Sequence, residues 1–263
     1  IIIDSRLFSD SFENKIRKKI NLNIRNQHLE NLIKISKLNQ NVIWLDNSDS
    51  AGTTSFEVMP YVKKYVKKQY YKDKNLYRKN FFRGRLYADF YQKKYFLEKN
   101  YKSETFLLSK EYENKLVLGW NIGVGNYFDI FNFNKINKFQ CIINSLFKKN
   151  YKELFKYTLK YHNLAIRKQK VFYKFNLRNN DKKKSIHFQR NQVNKILKDK
   201  FSLSSQRLDH RSYLEQLKNS QISVGAFGWG EICYREFEAI KMGAAIIFPN
   251  IDYLETWPNI YQD

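Results

Sequence analysis

The segment Gly225-Ala226-Phe227-Gly228-Trp229-Gly230 and the residues that follow it carry the densest chemistry in the chain. Glycines at such a turn let the backbone approach a ligand closely and aim N–H groups at an anion, and a helix beginning there adds the positive end of its dipole. The pattern is neither G-x-G-x-x-G nor a P-loop, which ends in GK[ST]. Beyond it, Glu231, Arg235 and Glu238 are spaced four and three apart. On a helix that spacing makes one polar stripe, with Cys233, Phe237 and Ile240 pointing elsewhere as a packing face. An arginine one turn into a helix can pair bidentately with a phosphate, and a carboxylate one turn further can accept from two vicinal hydroxyls. Gly228, Gly230, Glu231, Arg235 and Glu238 are therefore the candidate residues for a diphosphate and a sugar, with Arg190 as a further cation able to reach the phosphates, although a solvated helix start is the commoner explanation for it. The plainer alternative is an intrahelical salt-bridge ladder on a solvated face.

A second group lies in the N-terminal half. Val42-Ile43-Trp44-Leu45 is a short apolar run of the kind that forms a buried parallel strand, and Asp46 to Thr54 follows as a polar turn. Leu116 to Trp120 is a second such run, leading into Asn121-Ile122-Gly123-Val124-Gly125. Open α/β sheets bind ligands beyond the carboxyl ends of their strands, which makes Asp46, Ser50 and Asn121 candidates for an acceptor site and Asp49 a candidate general base. The same residue types also serve as turn and cap formers. Asp46, Ser48, Ser50 and Glu57 match four ligand positions of an EF-hand, but Ala51 stands where its sharp turn needs glycine and a strand precedes the loop. His28, His162, His187 and His210 show no metal-ligand spacing, so no metal is expected.

The elements that must position these residues can be read in outline. Residues 11–38 read as a helix. From Phe56, apolar residues at Val58, Tyr61, Val62, Tyr65 and Val66 predict an amphipathic helix with Pro60 in its first turn. Helical sequence returns over 135–163. Then come a strand at 171–175, a polar loop over 176–184, helices near 191–198 and 213–217, a strand at 222–224, the glycine turn with its helix, and a strand at 244–248. Strands alternating with helices imply parallel sheets covered on both faces. The expected boundary near 164–170 gives domains of residues 1–166 and 167–263.

With 263 residues, 43% of them hydrophobic, and 19 Tyr and 21 Phe, the chain can bury an aromatic, β-branched core and is not a disordered tail. Its net charge of +23 would attract nucleic acid, an anionic membrane face or a phosphorylated substrate. Lys, Asn, Ile, Tyr and Phe are enriched together, however, and the lysines are scattered, which is the mark of an AT-rich genome. Cys141 and Cys233 lie far apart without metal-ligand spacing, which fits a reducing compartment. No run approaches the roughly 18 apolar residues of a membrane span, and the first residues lack the pattern of a signal peptide.

Residues 227–250, FGWGEICYREFEAIKMGAAIIFPN, resemble the donor-site region of GT-B glycosyltransferases of the group-1-like and exostosin-like branches, in which Arg-x-x-Glu-Ala precedes a glycine and a strand. Here those residues are Arg235, Glu238, Ala239 and Gly243. Residues 251–261, IDYLETWPNIY, and residues 44–69, WLDNSDSAGTTSFEVMPYVKKYVKKQ, are similar to surface-glycan transferases of the same type. The resemblance implies two Rossmann-type domains and a nucleoside-diphosphate sugar as co-substrate, with no other cofactor. Glu238 would take the donor ribose and basic residues near the turn its diphosphate. The acceptor would be a glycan, a lipid-linked or a protein substrate. Retaining members space their two donor-site glutamates one residue farther apart than Glu231 and Glu238, so no catalytic role passes to Glu231. The family's donor domain continues through further strands and helices, so the resemblance also implies that 263 residues are a piece of a longer protein. The expected location is cytoplasmic, with peripheral contact at an anionic membrane face open to it. The rivals from other classes are a basic nucleic-acid-binding protein, the less expected partner, and a silent scaffold held on a membrane by its lysines.

Overall fold

Sheet formation follows the short apolar runs. A computed structural model of the chain describes residues 1–5, 23–98, 106–123, 167–174, 184–201 and 208–261. The helical reading of 135–163, the first part of the 11–38 helix, His162 and Cys141 lie outside them.

The first sheet is built from β1 (Ile2–Asp4), β2 (Ile43–Asp46), β3 (Lys64–Lys67) and β5 (Leu116–Leu118), all parallel and in chain order. Helix α1 (Asn23–Leu38) connects β1 to β2 and buries Leu32. The second sheet is β6 (Gln169–Phe172), β7 (Ser220–Val224) and β8 (Ala245–Ile247), again parallel, with β7 in the middle. Helices α3 (Lys184–Phe201) and α4 (His210–Lys218) lie between β6 and β7 in the chain, and α5 (Tyr234–Lys241) lies between β7 and β8. The fold is thus α/β with parallel sheets, compatible with Rossmann-like folds.

A two-stranded antiparallel ladder ties the first half of the chain to its last residues. β4 (Gln69–Tyr71) pairs with β9 (Leu254–Thr256), with Tyr70 opposite Glu255. The main apolar core follows the same route: Trp44, Met59, Tyr65 and Tyr71 are buried in one cluster with Ile186, Phe227, Ile232, Ile251 and Leu254. A smaller cluster of Phe172, Leu217, Ala239, Met242 and Ala244 fills the far side of the second sheet.

Two expected helices are corrected. The segment from Phe56 forms only a 3-10 helix, Phe56–Tyr61, and then turns into strand β3. In β3 the side chains of Tyr65 and Lys67 are both buried, an alternation hidden in the sequence because one inward position is a lysine. Helix α5 begins at Tyr234 with Cys233 as its N-cap, so Glu231 lies in the preceding loop and shares no helical stripe with Arg235 and Glu238. The expected helix near 191–198 is longer, spanning all of α3.

Candidate functional site

The loop after β2 and the glycine turn after β7 leave the carboxyl ends of interior strands of the two sheets, and they meet. A Cβ at Gly230 would lie 1.7 Å from the carbonyl oxygen of Asp49, which shows how closely the two backbones pass. The contact is sealed by Glu231. Its buried carboxylate accepts from Ser50 Oγ at 2.9 Å and from the Ala51 N–H at 3.0 Å. Burial pushes the Glu231 carboxyl above its usual range, and those two donors pull it back in part. Glu231 and Ser50, expected on a donor and an acceptor site respectively, are thus spent on each other.

Asp46 and Asn121 are also buried and engaged. The Asp46 carboxylate accepts from Lys67 Nζ at 2.8 Å, Tyr65 Oη at 2.6 Å and the Ser48 N–H at 2.8 Å. Burial alone would raise its pKa, but the Lys67 ammonium and these donors hold it below the usual carboxylate value. Asn121 donates through Nδ2 to Thr256 Oγ1 and to the Pro258 carbonyl, and its Oδ1 accepts from the Gly123 N–H. It pins the end of β5 beside β9. Of the four N-terminal candidates, Asp49 alone presents an exposed carboxylate, 64% accessible and 3.7 Å from Lys68 Nζ.

Around the glycine turn the structure gathers cations. Arg235 Nη2 donates to the Ala226 carbonyl at 2.9 Å, and Arg190 Nη2 to that of Phe227 at 3.0 Å. Arg85 Nε donates to the Trp229 carbonyl at 2.6 Å, with its guanidinium over the Trp229 ring. Tyr87 Oη takes the Gly228 carbonyl, and the Tyr87 ring stacks on Phe227. A Cβ at Gly228 would strike Cys233 Sγ at 2.6 Å and come within 3.4 Å of Arg190 Nη2. Three arginines from three different elements therefore donate to carbonyls of one turn, with Gly228 close to Arg190 and Gly230 against the Asp49 backbone. Glu238 sits one turn further along α5, with its Oε1 3.8 Å from His210 Nε2 on α4. Nearby Tyr213, also on α4, has its hydroxyl pKa raised by burial and by Glu238.

Arg85, Tyr87 and Glu236 were not expected here. Arg85 carried one available signal: it is an arginine in a chain whose drift favours lysine, and only the guanidinium offers a rigid planar fork. Glu236 is the third residue of α5 and forms a capping box with Cys233. Its Oε2 accepts the Cys233 N–H at 2.8 Å, and Cys233 Sγ accepts the Glu236 N–H. Burial pushes the Cys233 thiol up to about 11.

Burial also pushes the Glu236 carboxyl up to about 7, against the opposing pull of Arg235. The folded chain holds this proton where the unfolded chain, near pH 4.5, gives it up. The resulting stabilisation is complete below pH 4.5 and is lost as pH rises through 7. Glu236→Gln should therefore flatten stability against pH between these limits, with a gain over the parent of about 3 kcal/mol at pH 8. Urea midpoints across that range check it, and parallel curves for the two proteins would refute it.

Among the described residues, no three His, Cys, Asp or Glu side chains gather as a metal site, and no helix is long and apolar enough to cross a membrane. Comparison of the chain with protein-family models, with curated proteins and with solved structures gives no match.

Proposed function

We propose that the chain is a glycosyltransferase of the GT-B type, moving a sugar from a nucleoside-diphosphate donor to a glycan, lipid-linked or protein acceptor. The observation that carries the reading is the convergence of Arg85, Arg190 and Arg235 on the glycine turn at the carboxyl end of β7. A preorganised cationic centre beside a helix N-terminus suits the charge that develops on a leaving diphosphate, and it does so without requiring a metal ion. Glu238, one helical turn beyond Arg235, is the acceptor for the donor ribose. In this reading residues 1–166 form the acceptor side and residues 167–263 the donor side, with Asp49 as the base on the acceptor hydroxyl. Its exposed carboxylate, on the loop that meets the glycine turn, supports that role.

The test is isothermal titration of UDP, GDP and ADP into the parent protein and Glu238→Ala. One diphosphate should bind in the micromolar range, and the variant should weaken it by tenfold or more, about 1.4 kcal/mol. Retained binding in Glu238→Ala would remove that residue from the site. No binding of any diphosphate to the folded parent protein would sink the transferase reading and turn attention to nucleic acid, whose affinity should instead fall steeply with salt.

A further inference from the structure

Helix α2 (Leu86–Tyr95) ends in an unusual way. Phe96, the residue after it, is held in the left-handed region at φ 49° and ψ 46°, a position that favours glycine. Its ring is nevertheless 83% exposed. Nothing about the turn is loose: the Phe96 N–H donates to the Gln92 carbonyl, and the Gln92 side-chain amide clasps both the N–H and the carbonyl of Glu98. Glu98 is fastened in turn to Arg83 and to Ser185 at the start of α3. A phenylalanine is therefore presented rigidly to the outside in a conformation that a glycine would adopt at lower cost.

Two further rings stand beside it in sequence, Phe90 at 55% and Tyr95 at 45% exposure. Tyr95 rests on Phe188 of α3, which also meets Tyr91, and Tyr91 meets Phe90, so a packed aromatic floor lies under Phe90 and Tyr95. Lys94 Nζ lies 5.7 Å from the Phe90 ring centroid and 5.4 Å from that of Tyr95, while the neighbouring Lys93 is paired with Asp89 at 2.6 Å and stays 74% exposed.

We infer that this end of α2 is a docking surface for an anionic lipid membrane. Phenyl rings that enter the headgroup boundary, with lysines reaching back to lipid phosphates, are the arrangement by which a protein lies on a bilayer without crossing it. Charge selects this partner over a second copy of the chain, since each copy carries +23 and two lysine-flanked patches repel. Charge density selects it over single-stranded nucleic acid, which needs a cationic groove that tracks successive phosphates, whereas here Lys93 is paired with Asp89 and Lys94 stands beside apolar rings. The inference does not rest on the transferase reading, and the two can fail separately.

Co-sedimentation of the protein with vesicles tests it, using phosphatidylcholine alone and an equimolar mixture with phosphatidylglycerol. The parent protein should partition onto the mixed vesicles and weakly onto the neutral ones. Phe96→Gly supplies the residue that the backbone favours, so its thermal midpoint should hold or rise while its partitioning falls about tenfold. Phe90→Ser/Phe96→Gly should fall further, and neither variant should alter nucleotide titrations. Undiminished partitioning of both variants would overturn the inference, since scattered lysines alone would then explain binding. It would equally be overturned if the parent left the vesicles for single-stranded oligonucleotide, or if the variants changed the oligomeric state instead.

Discussion

Lys67→Met is expected to cost about 3–5 kcal/mol of unfolding free energy at neutral pH. The ammonium and the Asp46 carboxylate are both essentially inaccessible, 1% and 0% exposed, and lie 2.8 Å apart. Lys67 also donates to the Thr53 carbonyl at 2.7 Å, so the variant leaves a buried anion without its cation and a buried carbonyl without its donor. A methionine fills the space but supplies neither. With Lys67 present, the depressed Asp46 pKa contributes stability above pH 3.8 that is lost as pH falls through the folded value. Without Lys67 the sign reverses. Burial then raises the carboxyl, and the damage should shrink as acid neutralises it. Asp46→Asn/Lys67→Met should be more stable than Lys67→Met alone, because the asparagine carries no charge, its Oδ1 can still accept from the Ser48 N–H, and its Nδ2 then faces the Tyr65 hydroxyl, whose oxygen can accept. Urea unfolding of the three proteins at pH 7 and pH 5 reads both effects. A cost below about 1 kcal/mol for the single variant would show that water reaches Asp46.

Gly230→Ala should be nearly as severe, at about 3 kcal/mol, although alanine is the smallest possible addition. The reason is space and not torsion, since Gly230 is not among the residues of positive φ, which are Gly84, Gly243, Arg83 and Phe96 in the described chain. The new methyl would sit 1.7 Å from the Asp49 carbonyl oxygen, 2.3 Å from its carbon and 3.1 Å from Ser50 N, all of them backbone. That backbone cannot swing aside. Gln69 Nε2 holds the Asp49 carbonyl at 2.7 Å, and Glu231 holds Ser50 and Ala51. The loop after β2 must therefore detach, exposing Glu231 and its two donors. Hydrogen exchange at the Ala51 N–H should accelerate far more than exchange within β7. If the variant unfolds at the parent's midpoint and keeps that amide protected, the loops do not touch in solution as the structure has them.

These two sites show where the sequence was readable. The strands β2, β5 and β7 were legible because both faces of a covered parallel sheet demand apolar side chains, giving runs such as VIWL and LVLGW. β3 was not, because its inward face reads Tyr65 then Lys67, and the buried charge is tolerable only with Asp46, 21 positions earlier in the chain and invisible as a partner. Its neighbours Val58, Tyr61, Val62 and Tyr65 then mimic a helical period across a 3-10 helix and a strand. At the candidate site, Arg235 could be placed one turn into the helix after the glycine turn from local spacing, whereas Arg190 read more readily as the solvated start of its own helix; both donate to carbonyls of the turn. The true role of Glu231 was not legible, since helix α5 starts at Tyr234, three residues beyond the Glu231 that the four-and-three spacing had placed on it. Its start is marked by a cysteine and Glu236, a sulfur version of a box ordinarily begun by Ser or Thr.

The clasp of Glu231 on Ser50 and Ala51 joins residues 181 and 180 positions apart. A ribosome adding residues at about 5–20 per second leaves the loop after β2 waiting for roughly ten seconds or more before its partner is even made. Throughout that interval β4 also lacks its partner β9 and the main core lacks its C-terminal share, so the nascent N-terminal half carries open aromatic surface that local contacts cannot cover. Closing so long a loop comes late and is entropically slow. The order of assembly is thereby set: the cationic turn is completed in the last folding step, and a chain interrupted before residue 231 is a client for chaperones with no usable site.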